Sequence, residues 1–282
     1  MGKRGKRFAA SAAAMILGVS FSFAGAQAAF AQPGGAVIIS AGSGGPGEAG
    51  SPSASQEGGT VIELPFKLVT PAHFRGDYNV AWGSVQRADG SWADVSYDYA
   101  IMNPYYRVLR EETDSTGTEW YVCAAHATKA GDYFTDDGSF YNELWLKKAD
   151  CTETSSVSVD TENETRIKIV ETALSTLGMP YQAGTAGPDS FDCSGYVYYV
   201  MNTAGVSFPR ASSDAILSMD RNVSFEELKP GDILGRPGHV GIYIGDGKFV
   251  HASETATGVI SDTIEMYSRV HTFTNYINPV GD

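Results

Sequence analysis

The sequence predicts an α+β domain over residues 164–282, helices first and an antiparallel sheet after them, preceded by a small all-β barrel or sandwich over residues 61–151. Two patterns carry this reading. Ile167, Val170, Leu174 and Leu177 recur at helical spacing, and short apolar runs follow from Asp232 onward. Between Val61 and Cys151, by contrast, aromatic and β-branched residues come in short runs separated by Asp89-Gly90, Thr116-Gly117 and Asp137-Gly138, the residues of tight turns.

The first residues, Met-Gly-Lys-Arg-Gly-Lys-Arg, are basic, lead into an apolar stretch from Phe8 to Ala26 and close on Ala29-Phe30-Ala31. That order reads as a secretory signal peptide over residues 1–31, with the exported chain beginning near Gln32 and no stable membrane insertion after cleavage. An uncleaved anchor is the competing reading, and the abundance of Ala, Gly and Ser in the stretch argues against it. Cleavage removes Lys3, Arg4, Lys6 and Arg7 and no acid, so the net charge falls from -13 to -17. So acidic a surface repels phosphate backbones, which argues against nucleic acid as a partner. Residues 32–60 hold nine Gly, five Ser and three Pro, too little apolar surface to offset the entropy of ordering, and are expected to form a disordered linker.

Within 61–151 the expected strands are Val61–Val69, Tyr78–Gln86, Trp92–Tyr99, Tyr105–Leu109, Glu119–Ala124 and Tyr141–Leu146. All four tryptophans fall here, and a small β domain needs large side chains for its core more than it needs a sugar-stacking platform. Three cysteines in an exported chain suggest one disulfide and one free thiol. Cys123 and Cys151 share a domain, so their pairing is the guess, with Cys193 left reactive; the other two pairings stay open.

Residues 152–163 are polar and read as a second linker. A helix follows from Glu164 to Leu177 with Gly178 beyond it, another from Cys193 to Thr203, and a third, capped by Ser212 or Ser213, through Ser218. Strands are expected at Asp232–Leu234, His239–Ile244, Lys248–Ala252, Ile260–Ile264 and Phe273–Val280. Gly245-Asp246-Gly247 joins the second and third as a tight hairpin. Counting outward from Asp246 pairs position 241 with 251 and 239 with 253, so His251 falls diagonally beside His239 on the same face.

This spacing supports nucleophilic chemistry. A thiol with a pKa of about 8.5 is mostly protonated at neutral pH, and a helix N-terminus with a nearby imidazole is what makes a thiolate available. Cys193 stands at such a terminus, with His239 as the candidate base and His251 as the group orienting it. An inert buried cysteine and a zinc site built from the same three side chains are the rival readings, the latter lacking a fourth ligand. The thiol reaction itself calls for no metal or cofactor.

Phe191-Asp192-Cys193-Ser194-Gly195, Leu228-Lys229-Pro230-Gly231-Asp232, Gly238-His239-Val240-Gly241-Ile242-Tyr243-Ile244-Gly245 and Val250-His251-Ala252-Ser253, in this order, closely resemble the motifs of the NlpC/P60 cysteine peptidases. The resemblance covers about residues 160–282. It implies a papain-like α+β fold, secretion to the cell wall, and hydrolysis of peptidoglycan stem peptides at the γ-D-glutamyl bond to diaminopimelate or lysine. It implies a catalytic Cys193, His239 and His251, a Tyr181 hydroxyl near the thiolate or oxyanion, and substrate contacts from Asp192, Ser194 and Ser212. Two departures touch substrate selection: Ala215 stands where many members carry Gln, and Gly235-Arg236-Pro237-Gly238 replaces an aromatic pair. The 61–151 domain faintly resembles SH3-like wall-binding modules. Amidase or acyltransferase chemistry on the same fold, or a non-catalytic wall-binding role, are the alternatives.

Overall fold

The computed structural model describes residues 59–71, 83–86, 92–95, 104–127 and 141–281. The expected signal peptide, nearly all of the 32–60 linker and Trp82 lie outside them. The described residues belong to one unit, Ala54–Asp282.

Seven strands make the first sheet: β1 (Thr60–Pro71), β2 (Gly83–Gln86), β3 (Trp92–Val95), β4 (Tyr106–Thr113), β5 (Glu119–Ala127), β6 (Tyr141–Lys147) and β7 (Cys151–Val159). They run antiparallel in the order β3-β2-β6-β5-β4-β1-β7. Leu144 and Leu146 alternate inward from β6 and meet Val69, Tyr106, Tyr121 and Cys123 in a buried cluster. Trp120 and Trp145 are half-buried instead, edge to face at 6.4 Å, with Lys147 over one ring and Arg110 over the other.

Strand β7 corrects the expected linker at 152–163. Its outward residues are polar, which masks it in the sequence, but Val157 and Val159 alternate inward and β1 pairs along it from Thr60↔Val159 to Pro71↔Cys151. Ile62, Leu64, Val157 and Val159 join Ile169, Val170 and Ala173 in one core, so the first sheet and the C-terminal domain bury apolar surface against each other. Polar contacts reinforce the junction, the Tyr105 amide donating to Ser261 Oγ at 2.9 Å and that hydroxyl donating back to the Tyr105 carbonyl at 3.0 Å.

The three cysteines are free thiols, so the guessed Cys123–Cys151 disulfide is not formed. Cys151 packs against the cluster that contains Cys123, but the two come from β5 and β7, with β4 and β1 between them in the sheet order. Burial pushes the Cys151 thiol up to about 12 and the Cys123 thiol well above its ordinary value, so both are held protonated and unreactive.

The C-terminal part begins with α1 (Glu164–Ser175), whose N-cap Asn163 accepts from the amides of Thr165 and Arg166. Helices α2 (Cys193–Thr203) and α3 (Ser213–Leu217) follow, then β8 (Ile233–Arg236), β9 (His239–Gly245), β10 (Lys248–Ser253), β11 (Gly258–Thr263), α4 (Ile264–Tyr267) and β12 (Asn275–Ile277). The second sheet is antiparallel in the order β11-β10-β9-β8-β12, which gives the expected α+β arrangement. Tyr196, Val197, Val200 and Met201 of α2 share the core with Val240, Ile242, Val250 and Ala252 of β9 and β10. Arg166 of α1, fully buried, donates to Asp232 Oδ1 at 2.8 Å, to the Pro230 carbonyl at 2.9 Å and to Asn278 Oδ1 at 2.9 Å. One guanidinium thus fastens the first helix, the turn entering β8 and the end of the chain. Among the described residues, no helix is long and apolar enough to cross a membrane.

Candidate active site

Helix α2 starts at Cys193 because Asp192, in extended conformation, caps it through a 2.6 Å hydrogen bond from the Gly195 amide. The absence of a side chain at Gly195 lets the preceding loop close onto the first turn, since a Cβ there would stand 2.0 Å from the Thr185 carbonyl oxygen. Sγ of Cys193 lies 3.9 Å from the Gly238 carbonyl, to which the thiol donates, and the amides of Val240, Ser194 and Cys193 itself point toward the sulfur. Burial pushes the thiol up, and those amides oppose it. The thiol therefore sits against the two residues that flank His239.

The hairpin supplies the rest. β9 and β10 pair as Phe249↔Tyr243 and Val250↔Ile242, with a register shift confined to the turn beside Lys248. That register sets His251 against Gly241, where a Cβ would come within 3.0 Å of the His251 Cβ, so glycine leaves room for the ring. Nε2 of His239 meets Nδ1 of His251 at 2.8 Å, and the rings stand nearly perpendicular with centroids 4.9 Å apart. His251 is 3% exposed and stacks on Phe249 at 4.8 Å, and its Nε2 has no hydrogen-bond partner among the described residues. Because His251 occupies Nε2 of His239, Nδ1 is the ring nitrogen left to exchange a proton with a nucleophile. Burial, with the nearby charges of Arg236 and His271 adding to it, pulls His239 down to about 4 and His251 well below its ordinary value. Thiol and imidazoles are thus neutral at rest.

Tyr181 is held by a 2.8 Å bond from its amide to the Thr257 carbonyl and by a bridge to Phe191. Burial, then the nearby carboxylates led by Glu254, push its phenol up, which keeps the hydroxyl protonated.

Asp192 and Ser194, expected at the substrate, are engaged internally. Oδ1 of Asp192 accepts from the Gly195 amide and from Ser194 Oγ at 2.8 Å, and Oδ2 accepts from the Gly184 amide at 2.9 Å and from Arg210 Nη2 at 2.8 Å. Arg210 Nη1 also donates to Ser194 Oγ at 2.7 Å. With both oxygens doubly occupied, Asp192 serves as helix cap and arginine partner, which leaves little acceptor capacity for a substrate amine. Ser212 Oγ accepts from the Ala215 amide at 3.3 Å as the N-cap of α3, and among the described residues its own proton has no acceptor.

Three neighbours escaped the sequence reading. Asp214 Oδ1 accepts from the Gly238 amide at 2.9 Å and so anchors the turn that carries both the thiol's carbonyl partner and His239. Tyr267 lays its ring parallel to His239 at 6.1 Å and accepts from Arg236 Nε at 3.0 Å, and His271 packs on Tyr267 at 4.6 Å. Arg210 stands in Pro209-Arg210-Ala211-Ser212, two residues before the N-cap of α3, whereas Tyr267 and His271 carry no spacing signal.

Residues 178–276 match the NlpC/P60 family. A probable endopeptidase of Mycobacterium tuberculosis is 43% identical over 91 residues, 31% of this chain and 23% of the relative. The gamma-D-glutamyl-L-lysine dipeptidyl-peptidase of Bacillus subtilis is 31% identical over 127 residues, 42% of this chain and 41% of the relative. The chain thus spans from about a quarter to two fifths of the length of these two relatives. Among solved structures, the peptidoglycan hydrolase RipB from Mycobacterium tuberculosis is 28% identical with a TM-score of 0.36, covering 42% of this chain and 66% of that one.

Proposed function

We propose that residues 178–276, which match the NlpC/P60 family, are the catalytic part of a secreted cysteine endopeptidase that hydrolyses peptidoglycan stem peptides. The bond cleaved joins the γ-carbonyl of D-glutamate to the amine of diaminopimelate or lysine. The observation that supports this reading most is the 2.8 Å bond between His239 and His251, on a strand whose flanking residues touch the Cys193 thiol.

In the reaction, His239 Nδ1 takes the thiol proton as Sγ attacks the amide carbonyl. The Cys193 amide and the Tyr181 hydroxyl stabilise the oxyanion. The imidazolium, steadied by its Nε2–H bond to His251 Nδ1, protonates the leaving amine and leaves an acyl thioester. Water, deprotonated by His239, then releases the acid and restores the thiol. No step requires a metal.

The purified chain, given a defined disaccharide tetrapeptide, is expected to yield products whose masses place the cut after D-glutamate. Release of the intact tetrapeptide from the sugar, or transfer products without hydrolysis, overturns the endopeptidase reading. Export is tested by the N-terminus of the mature protein, expected near Gln32.

A further inference from the structure

Arg236 ends β8, and its partner across the β8–β9 turn is His239. Its side chain is half-buried and leans on Tyr267: Nε donates to the phenol oxygen at 3.0 Å, the guanidinium lies 6.0 Å from the ring centroid, and Nη1 donates to the Pro237 carbonyl at 3.2 Å. That same Tyr267 ring is stacked on His239 at 6.1 Å. The guanidinium therefore stands at the edge of the catalytic cluster. Arg110, Arg166, Arg210 and Arg269 each face a carboxylate. Among the described residues, none pairs with Arg236, and its Nη2 makes no hydrogen bond.

An unpaired cation here works against the reaction, because it opposes the imidazolium that forms when His239 takes the thiol proton. An anion seated on the free edge of the guanidinium removes that opposition. The anion's place on the substrate follows from the roles of the neighbours. His239 delivers its proton to the leaving amine, so the residue that supplies the amine lies on the His239 side of the cleft, the side that carries Arg236.

We propose, resting on the stem-peptide reading above, that Arg236 seats a carboxylate on the residue supplying the leaving amine and so selects diaminopimelate over lysine. The two residues differ by one group there. Diaminopimelate bears a carboxylate on the carbon that holds its distal amine, whereas lysine presents only an ammonium, which a guanidinium repels. The planar fork of arginine matches a carboxylate in a way that a point cation does not.

The test is kcat/KM of the full chain on three synthetic muropeptides identical except at the third residue, which is meso-diaminopimelate, its distal carboxamide, or lysine. The wild-type chain is expected to favour the carboxylate by at least about tenfold over both others, the range of a charge-assisted hydrogen bond. Arg236→Gln is expected to bring the three within about twofold of one another. Each ratio is taken within one preparation, so a partly misfolded variant still reports it. Equal wild-type rates on the three, or a preference that survives in Arg236→Gln, overturn the selection by Arg236 and leave the peptidase reading intact. Cleavage of none of the three overturns both.

Discussion

Replacement of His251 separates orientation of the catalytic ring from packing behind it. The residue is 3% exposed, stacks on Phe249 and offers Nδ1 to His239 Nε2 at 2.8 Å. At the moment His239 is protonated, that bond is charge-assisted, worth about 1.5–3 kcal/mol. Its loss in the transition state lowers kcat by about tenfold to a hundredfold. In His251→Asn, Oδ1 falls where Nδ1 stood and still accepts the proton. His251→Phe fills the ring space and keeps the stacking but has no acceptor, and His251→Ala loses both and leaves a cavity. Steady-state kcat on a defined muropeptide, read beside Tm, is therefore expected to order the variants Asn above Phe and Ala in activity, and Phe above Ala in Tm. Equal kcat in the Asn and Phe variants would refute the orienting role.

Other consequences concern protonation and the buried ion pair. His239 must be neutral to act as base and is pulled down to about 4, so the acid limb of kcat/KM is expected near pH 4 and not near 6.5; a limb near 6.5 contradicts the buried-base geometry. Both site histidines are buried neutral, so below about pH 6.5 the unfolded chain binds more protons, and stability measured by urea titration falls as pH drops from there toward 4. Asp262 works in the opposite direction: burial raises it to about 7, so the folded chain holds its proton longer and stability declines as pH rises from about 4 to 7. Asp262→Asn keeps an acceptor for the Thr263 amide and is expected to raise stability at pH 8 by up to about 4 kcal/mol while changing little at pH 4. Arg166→Ala leaves Asp232 charged and buried, with an expected loss of about 3–5 kcal/mol, and Arg166→Met paired with Asp232→Leu should recover much of it in the same titration.

Local chemistry was legible and tertiary arrangement was not. The start of α2 at Cys193 follows from a cap residue and an apolar run, both adjacent in sequence. The opposition of Gly241 and His251 follows from the turn at Asp246, since strand pairing propagates from a hairpin one residue at a time. The C-cap expected at Gly178 came two residues late, because α1 ends at Ser175 and Gly178 instead accommodates β5, where a Cβ would meet the Ala124 backbone at 2.4 Å. Strand β7 was hidden because, after Cys151 at its start, only Val157 and Val159 are apolar, and their value depends on a partner strand about 90 positions away. Asp214, Arg236 and Tyr267 reach the site across turns and a four-residue helix with no periodicity of its own. Asp192 shows a second role that the motif alone does not display: besides the substrate contact that the resemblance implies, its hydrogen bonds fasten the helix that carries the thiol.

Central to all of this is Cys193 as the nucleophile, and mass spectrometry of muropeptide digests by the wild-type chain and by Cys193→Ala tests it most directly. The wild type is expected to split the stem peptide after D-glutamate, and the variant, with Tm confirming its fold, to leave it whole. Cleavage by Cys193→Ala at the wild-type rate would contradict the account.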